Sequence, residues 1–442
     1  VTQFDSSARL DVEPLTARDK GIPERAIGMT VPDFLATGPE LSEFWTPLLV
    51  LDDAAIGHNL ATMAEWTTSR GLELMPHGKT TMAPALWQRQ LDAGCTGITL
   101  ATMGQVRTAR SFGTSSIMLA NSAVDPRSLR YLAGELADPG FRFTCWADSA
   151  QTIDAMEAAL SGVELPRPVD VCVELGAAGG RTGARTVAEA RHVAERVASS
   201  PVLRLAGVAG YEGSLAHDRS EAGLRAVRDY LERQIELHRA IDPLYDDGDV
   251  IVTAGGSAYF DVVAEVYAAA GAGVGAAPRH GDGRTRFVLR SGAYIVHDDG
   301  LYRRISPLDE AGDAAGPRLL PAMRGIARVV SRPEPGLALI DGGKRDFPLD
   351  EGLPIPRAGA RDLGQTWSAL PESSISAMND QHSYLRWPED GASDAVADAA
   401  PVGSVVQLGL SHPCTAFDKW RVIPVVDSWE SARVIDLVRT YF

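Results

Sequence analysis

The chain has 442 residues, 45% hydrophobic and 23% charged, with a formal net charge of −16. That length exceeds one small domain and points to a large unit joined to a second one. The acidic balance excludes nucleic acid and an anionic membrane surface as partners, because both need a basic face.

The first 20 residues are polar and charged, with no apolar leader core, and no stretch reaches bilayer length. Cys95, Cys145, Cys172 and Cys414 form no CxxC pair, and three of them read as small buried hydrophobes. Both features fit a reducing, cytoplasmic location.

Residues 1–45 are irregular, broken by Pro14, Pro23, Pro32 and Pro39. Apolar strand candidates then recur near 48–52, 72–76, 97–101, 117–121, 142–146, 169–174, 204–209, 250–253 and 287–290. Helical spacing of apolar residues lies between them, most clearly in Asp53–Arg70, Ala83–Ala93, Thr186–Ser199 and Glu221–Ile241. Such alternation predicts a parallel sheet. Eight strands between 72 and 290 follow a strand–helix pair that caps or precedes them, and no GxGxxG follows the first strand. The count favours an α/β fold of the closed (β/α)8 TIM-barrel type over an open doubly wound sheet.

Beyond Tyr294 the pattern changes to short strands with frequent Pro and Gly: Leu301–Ile305, Ile326–Val330, Gly336–Ile340, Val405–Leu408 and Trp420–Val425. Gly352–Gly364 and Glu389–Ala400 read as exposed loops. The predicted partition is a barrel over 46–290 and a mainly-β domain built from 1–45 and 291–442.

Barrel chemistry comes from the C-terminal tips of strands. The tip after Leu74 carries His77 and Lys79. A lysine amine desolvated there can lose its proton and form a Schiff base. Other tips supply Thr102 and Gln105, Glu174 with the glycine-rich loop ending at Arg181, Tyr211, the run Gly255-Gly256-Ser257, and Arg290 to Tyr294. A two-glycine turn before a helix can bring backbone amides to a phosphate. His412 and Cys414 form a His-x-Cys pair in a segment read as extended, an imidazole–thiolate couple of zinc type. His382 is a further histidine for the same mouth. Taken singly, each has an ordinary reading too. Arg181 is a surface arginine, Tyr211 and Tyr294 are buried tyrosines, Gly255-Gly256-Ser257 is a capped turn, and Cys414 is a buried thiol near a histidine.

As a set, Pro76-His77-Gly78-Lys79-Thr80, Gly180-Arg181-Thr182-Gly183, Gly255-Gly256-Ser257, Arg290-Ser291-Gly292-Ala293-Tyr294 and His412-Pro413-Cys414 resemble the D-serine dehydratase/D-threonine aldolase family. These are alanine-racemase-like, fold-type III pyridoxal-phosphate enzymes. The resemblance runs from about Leu48 to Asp427. It implies that Lys79 carries pyridoxal 5'-phosphate, that Gly255, Gly256, Ser257 and Tyr294 bind its phosphate, and that Arg181 lies near its phenolic oxygen. His77 and Tyr211 would sit beside the cofactor, and His412 and Cys414 would bind zinc or a similar divalent ion. Thr81-Met82 and Gln381-His382-Ser383 depart from the family pattern and resemble a branch of amino-acid deaminases.

The implied reaction is metal-assisted β-elimination from a D-3-hydroxyamino acid such as D-serine or D-threonine, giving a keto acid and ammonia. Lys79 would take the α-proton. The alternative is retro-aldol cleavage to glycine and an aldehyde, with His382 as base. A further alternative is a non-catalytic pyridoxal-phosphate carrier, which the second domain argues against. A homodimer is implied by the same resemblance.

Overall fold

A computed structural model describes residues 13–272, 283–388, 398 and 400–442. Its eight-stranded sheet is wholly parallel: Glu73–Leu74, Ile98–Leu100, Ser116–Ser122, Arg142–Ala147, Val169–Leu175, Leu203–Gly210, Val250–Ala254 and Thr285–Leu289. From Ile98–Leu100 onward each strand pairs with its neighbour in sequence, and the first strand pairs with the last. The remaining seam is closed by a parallel bridge between His77 and Thr99, with Thr99 N donating to Pro76 O at 2.9 Å. This is the expected barrel.

The helices on its outside start where the chemistry of their first turns dictates. Thr186 caps Val187–Ala198 in a capping box with Glu189, and Ser220 caps Glu221–Ala240. Asp52 caps Asp53–Thr68 through a bond from Ala55 N at 2.7 Å.

The second sheet has ten strands. Its main path is Ser368–Ala369, Ile355–Ala360, Val405–Gly409, Met323–Glu334, Leu48–Asp52, Val422–Val426 and Val434–Arg439. Leu337–Ile340, Ser383–Arg386 and Ser374–Met378 branch from it. The strand at 48–52, assigned to the barrel segment from sequence, belongs here. It pairs antiparallel with Met323–Glu334 and parallel with Val422–Val426. All five of its residues are buried, so periodicity alone could not say which sheet would cover them.

Two further expectations are corrected. Leu301–Ile305 is a short helix rather than a strand. The buried Asp298 carboxylate turns the chain by accepting from Gly300 N at 3.0 Å and Tyr302 N at 2.8 Å. The loop read over 352–364 contains the strand Ile355–Ala360, whose Pro356 sits beside a register shift against Val405–Gly409. A bulge is where a strand tolerates proline. The loop expected over Glu389–Ala400 lies almost entirely outside the described residues. One large core cluster holds residues of both sheets, including Leu49, Leu74, Val173, Met323, Val406 and Ile423.

Candidate active site

The strand Glu73–Leu74 delivers the chain to the barrel mouth, where a 3-10 turn over Gly78–Thr80 carries Lys79. Gly78 is needed for this turn. A Cβ there would lie 2.5 Å from Ile98 Cγ2 and 2.8 Å from Trp87 Nε1. Trp87 Nε1 donates to Gly78 O at 3.0 Å and pins the turn from behind. Lys79 lines a cavity of about 340 Å³ together with His77, Arg181, Tyr211, Gly256 and Ser257. His412 and Cys414 of the second sheet's domain line the same cavity.

Arg290 forms part of the cavity floor and is buried. It donates to Thr253 Oγ1 at 2.7 Å and to Gly210 O at 2.5 Å, and its guanidinium lies 4.9 Å from the Trp146 ring centroid. Burial, followed by the charges of Lys79, Arg290 and Arg181, holds His77 well below the usual imidazole range, so its ring is neutral. Burial also raises Glu174 to about 7, against relief from its bond with Thr182. Thr182 Oγ1 donates to Glu174 Oε1 at 2.9 Å.

Four buried polar atoms around this cavity have no partner: His77 Nδ1, Trp146 Nε1, Glu174 Oε2 and Arg290 Nε. Buried polar atoms are ordinarily satisfied. Their convergence on one cavity marks it as the place where a polar ligand completes the structure.

The glycine turn differs in detail from expectation. Gly255 N and Gly256 N donate to the two oxygens of fully buried Glu212, at 3.1 and 2.6 Å. Those amides already hold a carboxylate, so a phosphate at this turn would be met by Ser257, whose side chain lines the cavity. Ser291 Oγ locks the turn by donating to Gly255 O at 3.0 Å and Gly256 O at 3.1 Å.

Arg181 is exposed and rims the cavity, its guanidinium 4.5 Å from the Tyr211 ring centroid. Arg185 clamps its loop by donating to Arg181 O at 2.6 Å and Thr182 O at 3.0 Å. Tyr294 does not join the site. It rides a 3-10 turn over Ala293–Ile295 into the core, where its hydroxyl lies 3.8 Å from Cys95 Sγ. His382 is also elsewhere, exposed on the turn between Ser374–Met378 and Ser383–Arg386. Thr102 caps the helix Met103–Ser111, and Gln105 accepts from Ala101 N at 2.8 Å.

His412 and Cys414 do not lie in an extended segment. His412 has φ 60° and precedes the short helix Pro413–Phe417, which contains Cys414. His412 N donates to Asp298 Oδ2 at 2.9 Å, and its Nδ1 bonds Asp350 Oδ2 at 2.5 Å. Cys414 Sγ is hydrogen-bonded to Thr80 Oγ1 at 3.4 Å. Burial pushes the Cys414 thiol up, but bonds with His412 and Thr80 and the charges of His412 and Lys79 outweigh it and lower its pKa. His412 rises to about 9, chiefly through its bond with Cys414. An imidazole and a thiolate-prone sulfur on one cavity wall are a suitable donor set for a borderline-soft divalent ion. Among the described residues no group of three or more His, Cys, Asp or Glu is arranged to hold a metal.

Asp350, Glu212, Trp146 and Thr80 were given no role from sequence. Glu174 alone had a visible signal, a carboxylate at the end of the apolar run Val169–Leu175.

Residues 51–258 match the family model for the alanine racemase N-terminal domain, and residues 322–426 match the model described as "Putative serine dehydratase domain". The chain is 28% identical to a D-threonine aldolase of Arthrobacter sp over 92% of this chain and 97% of that protein. It is 23% identical to a D-threo-3-hydroxyaspartate dehydratase of Delftia sp. (strain HT23) over 87% of this chain and 96% of that protein. The solved D-threonine aldolase of Filomicrobium marinum shares the fold, with a TM-score of 0.73 at 24% identity, covering 91% of this chain and 97% of that one. With an alanine racemase N-terminal domain and a putative serine dehydratase domain matched in tandem, and relatives aligned along most of its length, the chain is similar throughout to the alanine-racemase-like D-threonine aldolases and D-hydroxyaspartate dehydratases.

Proposed function

We propose that this chain is a pyridoxal-phosphate-dependent lyase that dehydrates D-3-hydroxyamino acids. The observation that carries the reading is that Lys79 and the pair His412 and Cys414 line one cavity, although they follow strands of different sheets. The names of the Arthrobacter and Delftia relatives support D-hydroxyamino acids as the substrate class.

The residues present fit the cofactor. Lys79 supplies the amine, the unpartnered His77, Trp146, Glu174 and Arg290 atoms await a polar ligand, and Ser257 offers a free hydroxyl at the glycine turn. Lys79 would hold its aldehyde carbon, Ser257 its phosphate, and Arg181 with Tyr211 its ring. Pyridoxal phosphate supplies an electron sink for the pair left at the substrate's α-carbon. A divalent ion held by His412 and Cys414 supplies Lewis acidity toward a β-hydroxyl.

Lys79 Nζ takes the α-proton and is the general base of the reaction. His77, neutral and bonded through its backbone N to Arg290 O at 3.0 Å, keeps the lysine turn fixed without adding charge to it. The Arg185 clamp keeps Arg181 at the rim, where its fixed charge can meet an anionic group of the ligand. Loss of the α-proton and the β-hydroxyl removes one water. The resulting enamine tautomerises and takes up one water, releasing ammonia and a 2-keto acid.

Retro-aldol cleavage is the second reading, supported by the Arthrobacter relative's name and by the 26% identity to a 3-hydroxy-D-aspartate aldolase of Paracoccus denitrificans. Its requirement for a base at the hydroxyl is not met by His382 of the same chain, which lies on an exposed turn. A carrier role fits less well, because the second domain contributes side chains to the cavity.

Incubation with D-threonine separates the readings. Dehydration yields 2-oxobutyrate and ammonia; cleavage yields glycine and acetaldehyde. Glycine as the main product would overturn the proposal, and no turnover across a panel of D- and L-hydroxyamino acids would favour the carrier. A homodimer belongs to the same proposal and is tested by light scattering.

A further inference from the structure

His412 is held at both its backbone and its ring. Its amide donates to Asp298 Oδ2 at 2.9 Å, in a left-handed conformation with φ 60°. Its ring is gripped by a second carboxylate, with Nδ1 bonded to Asp350 Oδ2 at 2.5 Å. The other oxygen of Asp350, Oδ1, accepts from Thr415 Oγ1 at 2.8 Å. Asp350 comes from the segment between Leu337–Ile340 and Ile355–Ala360, so this contact is made by the fold and not by local sequence.

An ionised carboxylate can only accept hydrogen bonds. Nδ1 must therefore carry a proton, and Nε2 is the nitrogen that can give up its own and present a lone pair to a metal. Thr415 Oγ1, which also lies 3.2 Å from His412 O, bonds Oδ1 and restrains the carboxylate that faces the ring.

Resting on the reading of His412 and Cys414 as a metal pair, we propose that Asp350 is the positioning residue of that pair. It selects the His412 tautomer, leaves Nε2 as the ligating atom and holds the ring toward Cys414's side of the cavity. A carboxylate behind a metal-bound imidazole raises the basicity of the ligand and fixes its orientation, and losing such a group costs about 10–100-fold in metal affinity. The competing reading makes Asp350 a rival of the metal for Nδ1. Removing it would then tighten binding.

The test uses the full-length chain with its cofactor, stripped by chelator and titrated with cobalt(II) alone. Binding is read from the thiolate-to-cobalt charge-transfer band and the ligand-field bands. The wild type shows the thiolate band, and Cys414→Ala loses it. Asp350→Ala weakens cobalt binding at least about tenfold. Asp350→Asn, which keeps an acceptor for Nδ1, loses less. Thr415→Val weakens binding slightly, with an unchanged melting temperature. Should Asp350→Ala fail to fold, Asp350→Asn and Thr415→Val must still weaken cobalt binding in the order given. Unchanged or tighter binding in the Asp350 variants, with the thiolate band intact, overturns the positioning role and leaves the metal pair standing. A wild type with no thiolate band overturns both.

Discussion

Lys79 and Glu174 face the same cavity and make opposite demands on it. The lysine is useful only as an amine that can be tagged. Lys79→Ala is expected to remove the visible absorbance of the cofactor-loaded protein and to lower turnover by about 10²–10⁴-fold, the usual worth of a general base. Borohydride reduction followed by peptide mapping should label position 79 and no other. Glu174 is a liability until a ligand covers it. Burial lifts its pKa from 4.5 to about 7, so the folded state prefers its protonated form. Its contribution to stability is thus complete below pH 4.5 and is lost as pH rises through 7. In cofactor-free protein, Glu174→Gln should therefore raise the melting temperature at pH 8, by about 2 °C, and leave it unchanged near pH 4. An equal effect at both pH values would contradict the assigned burial cost. At this scale, sequence exposes residues whose type is odd for their place, such as a lysine or a carboxylate ending an apolar run. It conceals residues such as Asp350 and Glu212, whose role depends on partners 62 and 43 or 44 positions away. Tyr294 misled for a local reason: one 3-10 turn carries it from the barrel rim into the core.

Among the elements, the strand Leu203–Gly210 shows how closely the barrel is packed. Gly207 has φ 144°, and a Cβ there would lie 1.9 Å from Ile251 O. It also pairs at a register shift against Val169–Leu175. Backbone cannot yield as a side-chain tip can, so Gly207→Ala should cost about 3 kcal/mol in urea unfolding. A loss below about 0.5 kcal/mol, the range of an ordinary surface change, would contradict this account. The same strand leads into Tyr211 and Glu212, so damage to it should loosen the glycine turn as well. Helices were legible because their caps are written locally, as in Thr186 with Glu189. The strand Ile355–Ala360 was not, because its two-residue alternation is interrupted by Pro356 and Gly359 and its pairing comes from Val405–Gly409.

Across the whole molecule, the two sheets share one core. Asn59, on the helix Asp53–Thr68, also holds the segment that leads into Met323–Glu334, with Nδ2 donating to Leu320 O at 2.8 Å and Oδ1 accepting from Leu320 N at 2.7 Å. Units that share a core lose it together, so calorimetry should record a single unfolding transition rather than two. The barrel was legible because strand–helix alternation is a long, regular signal. The placement of residues 48–52 was not, since a fully apolar strand fits either sheet. The contact between Cys414 and Thr80, next to Lys79, joins positions 334 apart. During synthesis, then, the amine is made 334 positions before its sulfur neighbour exists. Fragments shortened from the far end would be released with a lysine in place and no partner chemistry beside it, so a truncated product should be inert rather than promiscuous.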